Sequence, residues 1–375
     1  MAKKQKSKRS LFITIITVLI LLALYYFEDR QKQSQDNSQV KTNEATEFSD
    51  MHLSKGNDTT RLIVMFYNLE NFFDTIDDPH NRYDNEYVPD GKKHWNTKRY
   101  MTKIKHLGQV FYNVDPREVP DLIGVCEVEN KRVLEDLVKN TALRGYKIVH
   151  YESKDMRGID LALLYDPTEF KVLSSEKIDI HYKPGRAART REIIHIVGQT
   201  RNGETLHIFL NHWKSRVTRH AGEQSEYKRI AAAKDLKKAV AKVLKQNPDA
   251  KIIIMGDFND EPTNKSLYST LGAKEKPKRL TDLYNVMLPL DKQGKGTYFH
   301  DHHWLMFDNI ILSGNFILDH SKLIPEGPGH VLEKDFMVKE NRKKEKYPFR
   351  TFAGSRYLGG YSDHLPVYEI FDVKY

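Results

Sequence analysis

The sequence predicts an α+β domain in which sheets and helices pack as layers. Strand-like apolar runs recur along residues 61–375, and some are separated by loops while others are separated by helical patterns. A purely parallel, doubly wound sheet would need a helix after nearly every strand, so this order favours an α+β arrangement. The composition agrees: 39% of the 375 residues are hydrophobic and 30% are charged, as is usual for a water-soluble globular domain.

Residues 1–60 divide into three segments of different composition. Residues 1–10 are basic, residues 11–27 are apolar and uncharged, and residues 28–60 are mostly polar. A membrane span needs about 17–25 apolar residues, so segment 11–27 is near the lower limit. The positive-inside rule then places residues 1–10 in the cytoplasm and the remaining chain outside it. We expect an uncleaved transmembrane anchor and a flexible linker, with a cleaved signal peptide as the alternative.

Hydrophobic periodicity predicts the main elements of residues 61–375. Apolar runs predict strands at residues 62–67, 121–128, 159–165, 192–197, 206–211, 251–255, 307–312 and 367–371. Apolar spacings of three and four residues, together with capping residues, predict helices at residues 96–110, 130–140 and 222–246. Residues 322–356 are basic and weakly periodic, which predicts a long functional or disordered loop.

Polar clusters lie where several predicted strands end. They occupy residues 68–71, 127–130, 211–216, 256–260 and 362–364, and Asp308 forms a weaker sixth cluster. One such cluster is usually only a turn, but a sheet would hold repeated strand-end clusters at one rim. Their carboxylate and amide oxygens suit Mg²⁺ or Mn²⁺. Zinc is disfavoured because the sequence has no cysteine cluster and no H-E-x-x-H motif. The lone cysteine, Cys126, lies in an apolar run and is predicted to be a core residue.

In this order, the clusters resemble the endonuclease/exonuclease/phosphatase superfamily, which includes the pancreatic-type deoxyribonucleases. The resemblance implies a four-layer α/β sandwich with two packed mixed, mainly antiparallel β-sheets and the site at one rim. The matching motifs are Asn68-x-Glu70, Glu127, Asn211-His212, Gly256-Asp257-Phe258-Asn259, Asp308-x-Ile310 and Ser362-Asp363-His364.

The resemblance implies metal-binding and nucleophile-activating roles for the matched residues. Glu127 would be the principal ligand of the divalent cation, supported by Asn68 and Asp363. Asp257 would align or deprotonate the attacking water. Asn259 would hold the phosphate.

The resemblance also implies proton donors and substrate contacts. His212 would donate a hydrogen bond to a phosphoryl oxygen. His364 would do the same or act as the acid/base group, oriented by Asp308. The role of Glu129 stays open, because the segment after Glu127 fits either a strand or a helix start. Further candidates for substrate binding are Asn68, Asn211, Arg157 and Arg216.

The sequence thus predicts a monomeric, metal-dependent phosphodiesterase, and a nuclease is the preferred form of it. The segment Asn211–Arg216 resembles that of exported bacterial nucleases, and basic and aromatic residues precede Ser362, where they can track phosphates and stack on bases. Against nucleic acid, more than half of the net charge of +9 comes from residues 1–10. A phospholipid or sugar-phosphate hydrolase and a non-catalytic membrane-anchored binding module are the alternatives, and fold alone does not choose among them.

Overall fold

The computed structural model describes residues 61–79, 81, 83–216, 225–318 and 321–374. The predicted anchor at 11–27 and the predicted linker at 28–60 lie outside these ranges. Within the ranges, no helix combines the length and the apolar character that crossing a bilayer requires. The elements given below therefore all belong to the predicted catalytic domain.

The described residues form two large sheets, three small hairpins and five α-helices. The helices are α1 (Thr97–Tyr112), α2 (Lys131–Lys139), α3 (Glu226–Gln246), α4 (Leu288–Asp291) and α5 (Asn315–Leu318). The strands are β1 (Arg61–Phe72), β2 (Leu122–Val128), β3 (Lys147–Tyr151), β4 (Asp160–Tyr165), β5 (Phe170–Ile178), β6 (Ile193–Thr200), β7 (Thr205–His212), β8 (Lys251–Asp257), β9 (Leu283–Asn285), β10 (Tyr298–His300), β11 (His303–Leu305), β12 (Asp308–Ser313), β13 (Leu323–Pro325), β14 (His330–Val331), β15 (Val338–Glu340), β16 (Lys346–Pro348), β17 (Phe352–Ala353), β18 (Arg356–Tyr357) and β19 (Val367–Val373).

Each large sheet is mixed and mainly antiparallel, as the resemblance implies. The first sheet has the order β13-β19-β1-β2-β4-β3, and β14 also pairs with β19. The second sheet has the order β5-β6-β7-β8-β12-β9. Among the pairings of these sheets, only β1 with β2 and β7 with β8 are parallel. The two strands of a parallel pair end at the same edge, so each sheet gathers two strand ends at one rim.

Two faces of each sheet are buried, which produces four layers. In β1, Leu62, Val64 and Phe66 pack between the two sheets together with Ile253 and Met255 of β8. The intervening residues of β1 pack with α1 and α2, while those of β8 pack with α3. This alternation follows from the period of two residues in a strand. The predicted sandwich of helix, sheet, sheet and helix layers is confirmed.

The predicted central strands and the three long helices are present, with ends shifted by a few residues. Asn96 caps α1, because its side-chain oxygen accepts a hydrogen bond from the N–H of Arg99 at 3.1 Å. Asn130 caps α2 in the same way through the N–H of Val133 at 3.2 Å. Cys126 is fully buried between the sheets, as predicted.

The prediction of one long loop at residues 322–356 was wrong. This segment contains β13 to β17 and the start of β18. Each of these strands has two or three residues, which is too short to give a hydrophobic period. The edge strands β3 and β5 were not predicted either, because most of their residues are exposed or half-buried and show no apolar run.

Candidate active site

The candidate catalytic residues lie at the rim where the parallel strand pairs end. In the first sheet, Glu127 is the penultimate residue of β2. In the second sheet, β7 ends at His212 and β8 ends at Asp257, and these two residues are in register. Asp308 begins β12 and is the antiparallel partner of Asp257. The two sheets therefore present carboxylates and an imidazole to a common edge.

Side chains from both sheets converge on the carboxylate of Asp257. The Nδ2 atom of Asn68 donates to its Oδ2 atom at 3.1 Å. The Nε2 atoms of His212 and His364 lie 3.6 Å and 3.9 Å from the same oxygen. His212 Nε2 is also 3.9 Å from Glu127 Oε1. Five predicted site residues, from four strands and the loop before β19, thus form one cluster.

The two histidines of this cluster differ in charge. Burial lowers the pKa of His364, but the carboxylates of Asp308 and Asp257 outweigh it and raise the pKa to about 10. The Asp308 contact is direct, with Oδ2 at 2.7 Å from His364 Nδ1. Burial, followed by repulsion from Arg191, lowers the pKa of His212 well below its usual value. At neutral pH, His364 is therefore an imidazolium and His212 a neutral imidazole.

Asp257 is suited to exchange a proton near neutral pH. Burial raises the pKa of its carboxyl group to about 7, although the attraction of His364 opposes the shift. Its other oxygen, Oδ1, accepts the N–H of Asn259 at 2.9 Å, which fixes the carboxyl plane. A group with a pKa near the working pH is the effective general base. This geometry fits the predicted role in activating water.

Backbone conformations that are unusual for side-chain-bearing residues are found at this rim. Glu70, Asn71, Glu127 and Asn259 have φ values of 50°, 46°, 61° and 50°. Both pairings of β2 shift register next to Glu127, so a bulge turns its side chain toward the site. Such strained residues cost about 1–3 kcal/mol each and are concentrated at functional sites.

Gly256 allows the close approach of β7 and β8 beside the cluster. A Cβ atom at this position would lie 2.2 Å from the backbone oxygen of Asn211. No side chain fits in that space, so the pairing that brings His212 next to Asp257 needs glycine here. This explains the glycine of the Gly-Asp-Phe-Asn motif in physical terms.

The oxygen donors at the rim fit a hard divalent cation. Glu127 uses Oε2 to accept the N–H of Asn71 at 2.9 Å, and Asp363 uses Oδ2 to accept from Arg350 at 2.8 Å. Within the described part of the chain, the second oxygen of each carboxylate accepts no hydrogen bond. Two such carboxylate oxygens are the donor type that Mg²⁺ and Mn²⁺ prefer.

Asn68, predicted as a further metal ligand, has a different environment. Its Oδ1 atom accepts the N–H of Glu70 at 2.9 Å, and its Nδ2 atom binds Asp257. The Asn68 side chain therefore orients Asp257 in this structure, and its oxygen already has a donor.

Three residues predicted to contact the phosphate or the substrate make hydrogen bonds to the surrounding loops. Asn211 is fully buried, with Nδ2 bound to Phe209 O and Oδ1 bound to Trp213 Nε1. Arg216 donates to the backbone oxygen of Asn259 at 3.0 Å. The Nδ2 atom of Asn259, in turn, donates to Trp213 O at 3.2 Å. These contacts give both amide atoms of Asn211 a partner within the protein.

Arg157 is a better candidate among the predicted substrate-binding residues. It pairs with Asp155 at 3.3 Å, and its side chain is 37% exposed. Its positive charge also lowers the pKa of His212, after burial and Arg191. A half-exposed cation close to His212 is in a suitable place to attract a phosphate.

Several residues at the site were not predicted from the sequence. The ring of Tyr298 lies 4.8 Å from that of His364, and the two residues form an isolated antiparallel bridge. Arg350 pairs with Asp363 and lies 3.6 Å from Glu70. Lys103 is buried behind these groups. No pattern pointed to Tyr298 or Lys103, because a lone Tyr or Lys outside a motif looks like a surface residue, whereas Arg350 was among the basic residues before Ser362 that were expected to track phosphates.

Comparisons with known proteins agree with this geometry. The sequence model described as "Endonuclease/Exonuclease/phosphatase family" matches residues 63–372. No curated protein sequence matches the chain. Among solved structures, a humanized D. rerio TDP2 is 17% identical, with 84% of this chain and 100% of that chain covered and a TM-score of 0.52.

A second solved structure of the same fold comes from a bacterium. An endonuclease/exonuclease/phosphatase family protein from Bacteroides thetaiotaomicron is 19% identical, with 84% of this chain and 99% of that chain covered and a TM-score of 0.51. At such identities the two structures show a shared fold and carry no information on the substrate.

Proposed function

The chain belongs to the endonuclease/exonuclease/phosphatase family, and we propose that it is a divalent-cation-dependent phosphodiesterase whose substrate is nucleic acid. One observation carries the proposal. The carboxyl group of Asp257, whose pKa is near neutrality, lies close to the His364 imidazolium and to the neutral His212 imidazole. Glu127 lies beside His212. These are the groups that water attack on a phosphate ester requires.

The chain's own residues divide the proton transfers between them. Asp257 accepts the proton of the attacking water. His364, held protonated by Asp308, donates to a phosphoryl oxygen or to the leaving oxygen, and neutral His212 donates its N–H to the phosphoryl group. A divalent cation bound by Glu127 and Asp363 would neutralise the charge on the phosphate.

A surface of cations and aromatic rings favours a nucleic-acid substrate. We define the basic aromatic surface as Lys93, Arg99 and Lys339 with the rings they cover, Phe352, Tyr357 and Phe349. The distances from each cation to its ring centroid are 4.4, 4.4 and 4.3 Å. The cations can follow a phosphate backbone, while the rings beneath them pack on the core and hold the cations in place. Arg350, beside this surface, connects it to Asp363.

A groove on the same domain favours a second candidate, the hydrolysis of a sugar phosphate. The groove encloses about 500 Å³ and approaches the site at Glu129, two residues after Glu127. Its carboxylates would repel the phosphates of a polymer, yet they can accept hydrogen bonds from sugar hydroxyls. The acidic residues that line it are Asp74, Asp77, Asp78, Glu129, Glu152 and Asp155.

The location proposed for the enzyme rests on composition alone. The apolar run at 11–27 follows a basic segment, so we propose that it anchors the catalytic domain outside the cytoplasm. Protease added to cells with a permeabilised envelope and an intact cytoplasmic membrane should then digest the domain and leave a short membrane-bound fragment. A domain that is digested only after the cytoplasmic membrane is broken would contradict this topology.

An activity panel tests the proposed chemistry. The full-length chain would be assayed with Mg²⁺ and with Mn²⁺ on linear and circular DNA, RNA, vesicles of sphingomyelin or phosphoinositides, sugar phosphates and a chromogenic phosphodiester. The Glu127→Ala variant is the control. We expect DNA or RNA cleavage that falls steeply with added salt and is absent in the control. Activity on sugar phosphates alone would favour the second candidate, and activity on vesicles alone would favour a phospholipid hydrolase. No activity above the control would contradict the enzyme itself.

A further inference from the structure

Lys103 is a cation enclosed in the domain. It lies in the middle of α1, and only 2% of it is exposed. Its Nζ atom donates to the hydroxyl oxygen of Thr351 at 2.7 Å and to the backbone oxygen of Tyr361. Both acceptors are uncharged. A buried ammonium group is costly unless nearby anions stabilise it, so its surroundings need an explanation.

The anions closest to Lys103 belong to the candidate active site. Burial lowers the pKa of Lys103 to about 8, while the carboxylates of Glu70, Asp363 and Glu127 act to raise it. None of these carboxylates forms a direct ion pair with Lys103 among the described residues. Besides this through-space attraction, the ammonium group is connected to them through the segment that it binds.

Thr351 connects Lys103 to Glu70 and Asp363. While its hydroxyl accepts from Lys103, its N–H donates to Glu70 Oε2 at 2.5 Å. The preceding residue, Arg350, donates to Asp363 at 2.8 Å. Arg350 and Thr351, at one end of the segment that Lys103 binds, thus contact the carboxylates of Asp363 and Glu70.

Tyr361, whose backbone oxygen accepts from Lys103, forms the other end of this segment. Directly after it, the hydroxyl of Ser362 donates to Asn68 O at 2.6 Å, which docks the chain on β1. Asp363 and His364 follow at once. Lys103 therefore bonds to both ends of residues 351–361, and both ends lead to groups that act on the cation or the phosphate.

We propose that Lys103 is a positioning residue of the cation site: by tying Thr351 to Tyr361, it holds the segment that Glu70 and Arg350 anchor and so fixes Asp363 where it serves the divalent cation. The inference rests on the proposed function, since the cation site is part of it. Lys103 makes no contact with the substrate in this account. Groups that support metal ligands commonly contribute about 10- to 100-fold to metal affinity or activity.

Two other roles for Lys103 predict different effects on cation binding. If Lys103 only opposed the cation as a like charge, its removal would tighten Mg²⁺ binding. If it only filled space, removal would change stability without changing Mg²⁺ affinity. The positioning role alone predicts weaker Mg²⁺ binding. The direction of the change therefore decides among the three.

The test compares full-length wild type with Lys103→Met, which keeps the length of the side chain and removes its charge. Thermal unfolding would be followed over a Mg²⁺ titration in the absence of substrate, and kcat and KM would be measured at saturating Mg²⁺. We expect the Mg²⁺ concentration for half-maximal stabilisation to rise about 10- to 100-fold, with kcat reduced more than KM is changed. An unchanged or lower concentration would overturn the proposal.

Two further variants keep the test decisive. Thr351→Val removes only the hydroxyl acceptor of Lys103, and it should weaken Mg²⁺ binding in the same direction; if Lys103→Met does not fold, this variant decides. Lys98→Met, at an exposed position of the same helix, should match wild type. If wild type itself shows neither Mg²⁺-dependent stabilisation nor hydrolysis, the proposed function fails. If wild type shows both effects and Lys103→Met and Thr351→Val have the same Mg²⁺ affinity as wild type, the proposed function stands and the positioning role fails.

Discussion

At the scale of single residues, two buried histidines differ in charge, and this difference sets their roles: His364 is positive and His212 is neutral. His364 contacts Asp308 directly and is held protonated, whereas His212 is close to Arg191 and Arg157 and is held neutral. The same side chain thus serves as a proton donor in one place and as a neutral hydrogen-bond donor in the other. The neighbouring charges cause the difference.

The Asp308→Asn substitution should expose this dependence. Because the pKa of His364 is raised, the imidazolium persists as pH rises until about pH 10; without the Asp308 charge, it should lose its proton at lower pH. We expect kcat to fall about a hundredfold and the alkaline limb of the pH–rate profile to move down. Asp282→Asn, at a surface ion pair with Arg279, is the control. An alkaline limb that stays in place would contradict the assignment.

The strand-end residues were predictable because their chemistry restricts both residue type and position. Glu127, Asp257 and His364 are such residues, and the structure brings them together. The supporting residues were not predictable. Lys103 becomes distinctive only through long-range contacts, and the pairing of Arg350 with Asp363 is likewise not visible in its basic segment.

At the scale of elements, the site depends on how closely β7 approaches β8. Gly256 allows this approach, since a Cβ atom would meet the backbone of β7. The bulge at Glu127 has the corresponding role in the first sheet. The strands therefore set the spacing of the reactive groups.

Gly256→Ala should impair catalysis more than it impairs folding. The added methyl group would push β7 away from β8 and separate His212 from Asp257. We expect a loss of about 1–3 kcal/mol in the free energy of unfolding, the usual cost of overpacking, and a fall in kcat of about a hundredfold. Urea denaturation and steady-state kinetics on the same preparation would check this. Wild-type kcat in a destabilised variant would show that the spacing does not matter.

Glu369 in β19 gives a pH-dependent prediction for stability. It is fully buried, and its Oε2 atom has no hydrogen-bond partner in the described part of the chain. Burial raises the pKa of Glu369 to about 8, so the folded state keeps a proton that the unfolded state releases near pH 4.3. Stability from this group is therefore complete below about pH 4 and is lost as pH rises to about 8.

Glu369→Gln should remove that loss. We expect the free energy of unfolding of the variant, minus that of wild type, to increase by about 1–3 kcal/mol from pH 5 to pH 8. Urea denaturation at the two pH values measures it, and Glu340→Gln, at an exposed position, is the control. The same difference from wild type at both pH values would refute the raised pKa.

Elements with a long apolar period were predictable, and short or exposed elements were not. The central strands β1, β2, β7 and β8 bury both faces and read clearly as apolar runs. In the edge strand β5, most side chains are exposed or half-buried, so its pattern is weak. The hairpins within residues 322–357 are specified by contacts with distant residues, as between Thr351 and Glu70.

At the scale of the whole molecule, the two sheets meet face to face and bring their rims together. The core between them contains residues of both sheets, and each outer face is covered by helices. This arrangement was predictable only through the family resemblance, because strand patterns do not specify which sheet a strand joins. The proposed anchor at 11–27 lies outside the described residues and stays a prediction.

The central claim is that groups from both sheets act on one divalent cation and one phosphoryl group. The most direct measurement is the anomalous diffraction signal of Mn²⁺ in crystals of the protein grown with Mn²⁺ and inorganic phosphate. The account predicts a peak about 2.0–2.2 Å from oxygens of Glu127 and Asp363, with phosphate within hydrogen-bond reach of His212 and His364. A manganese peak at another cluster, such as His150, Glu152 and Asp160, with none at Glu127, would contradict it.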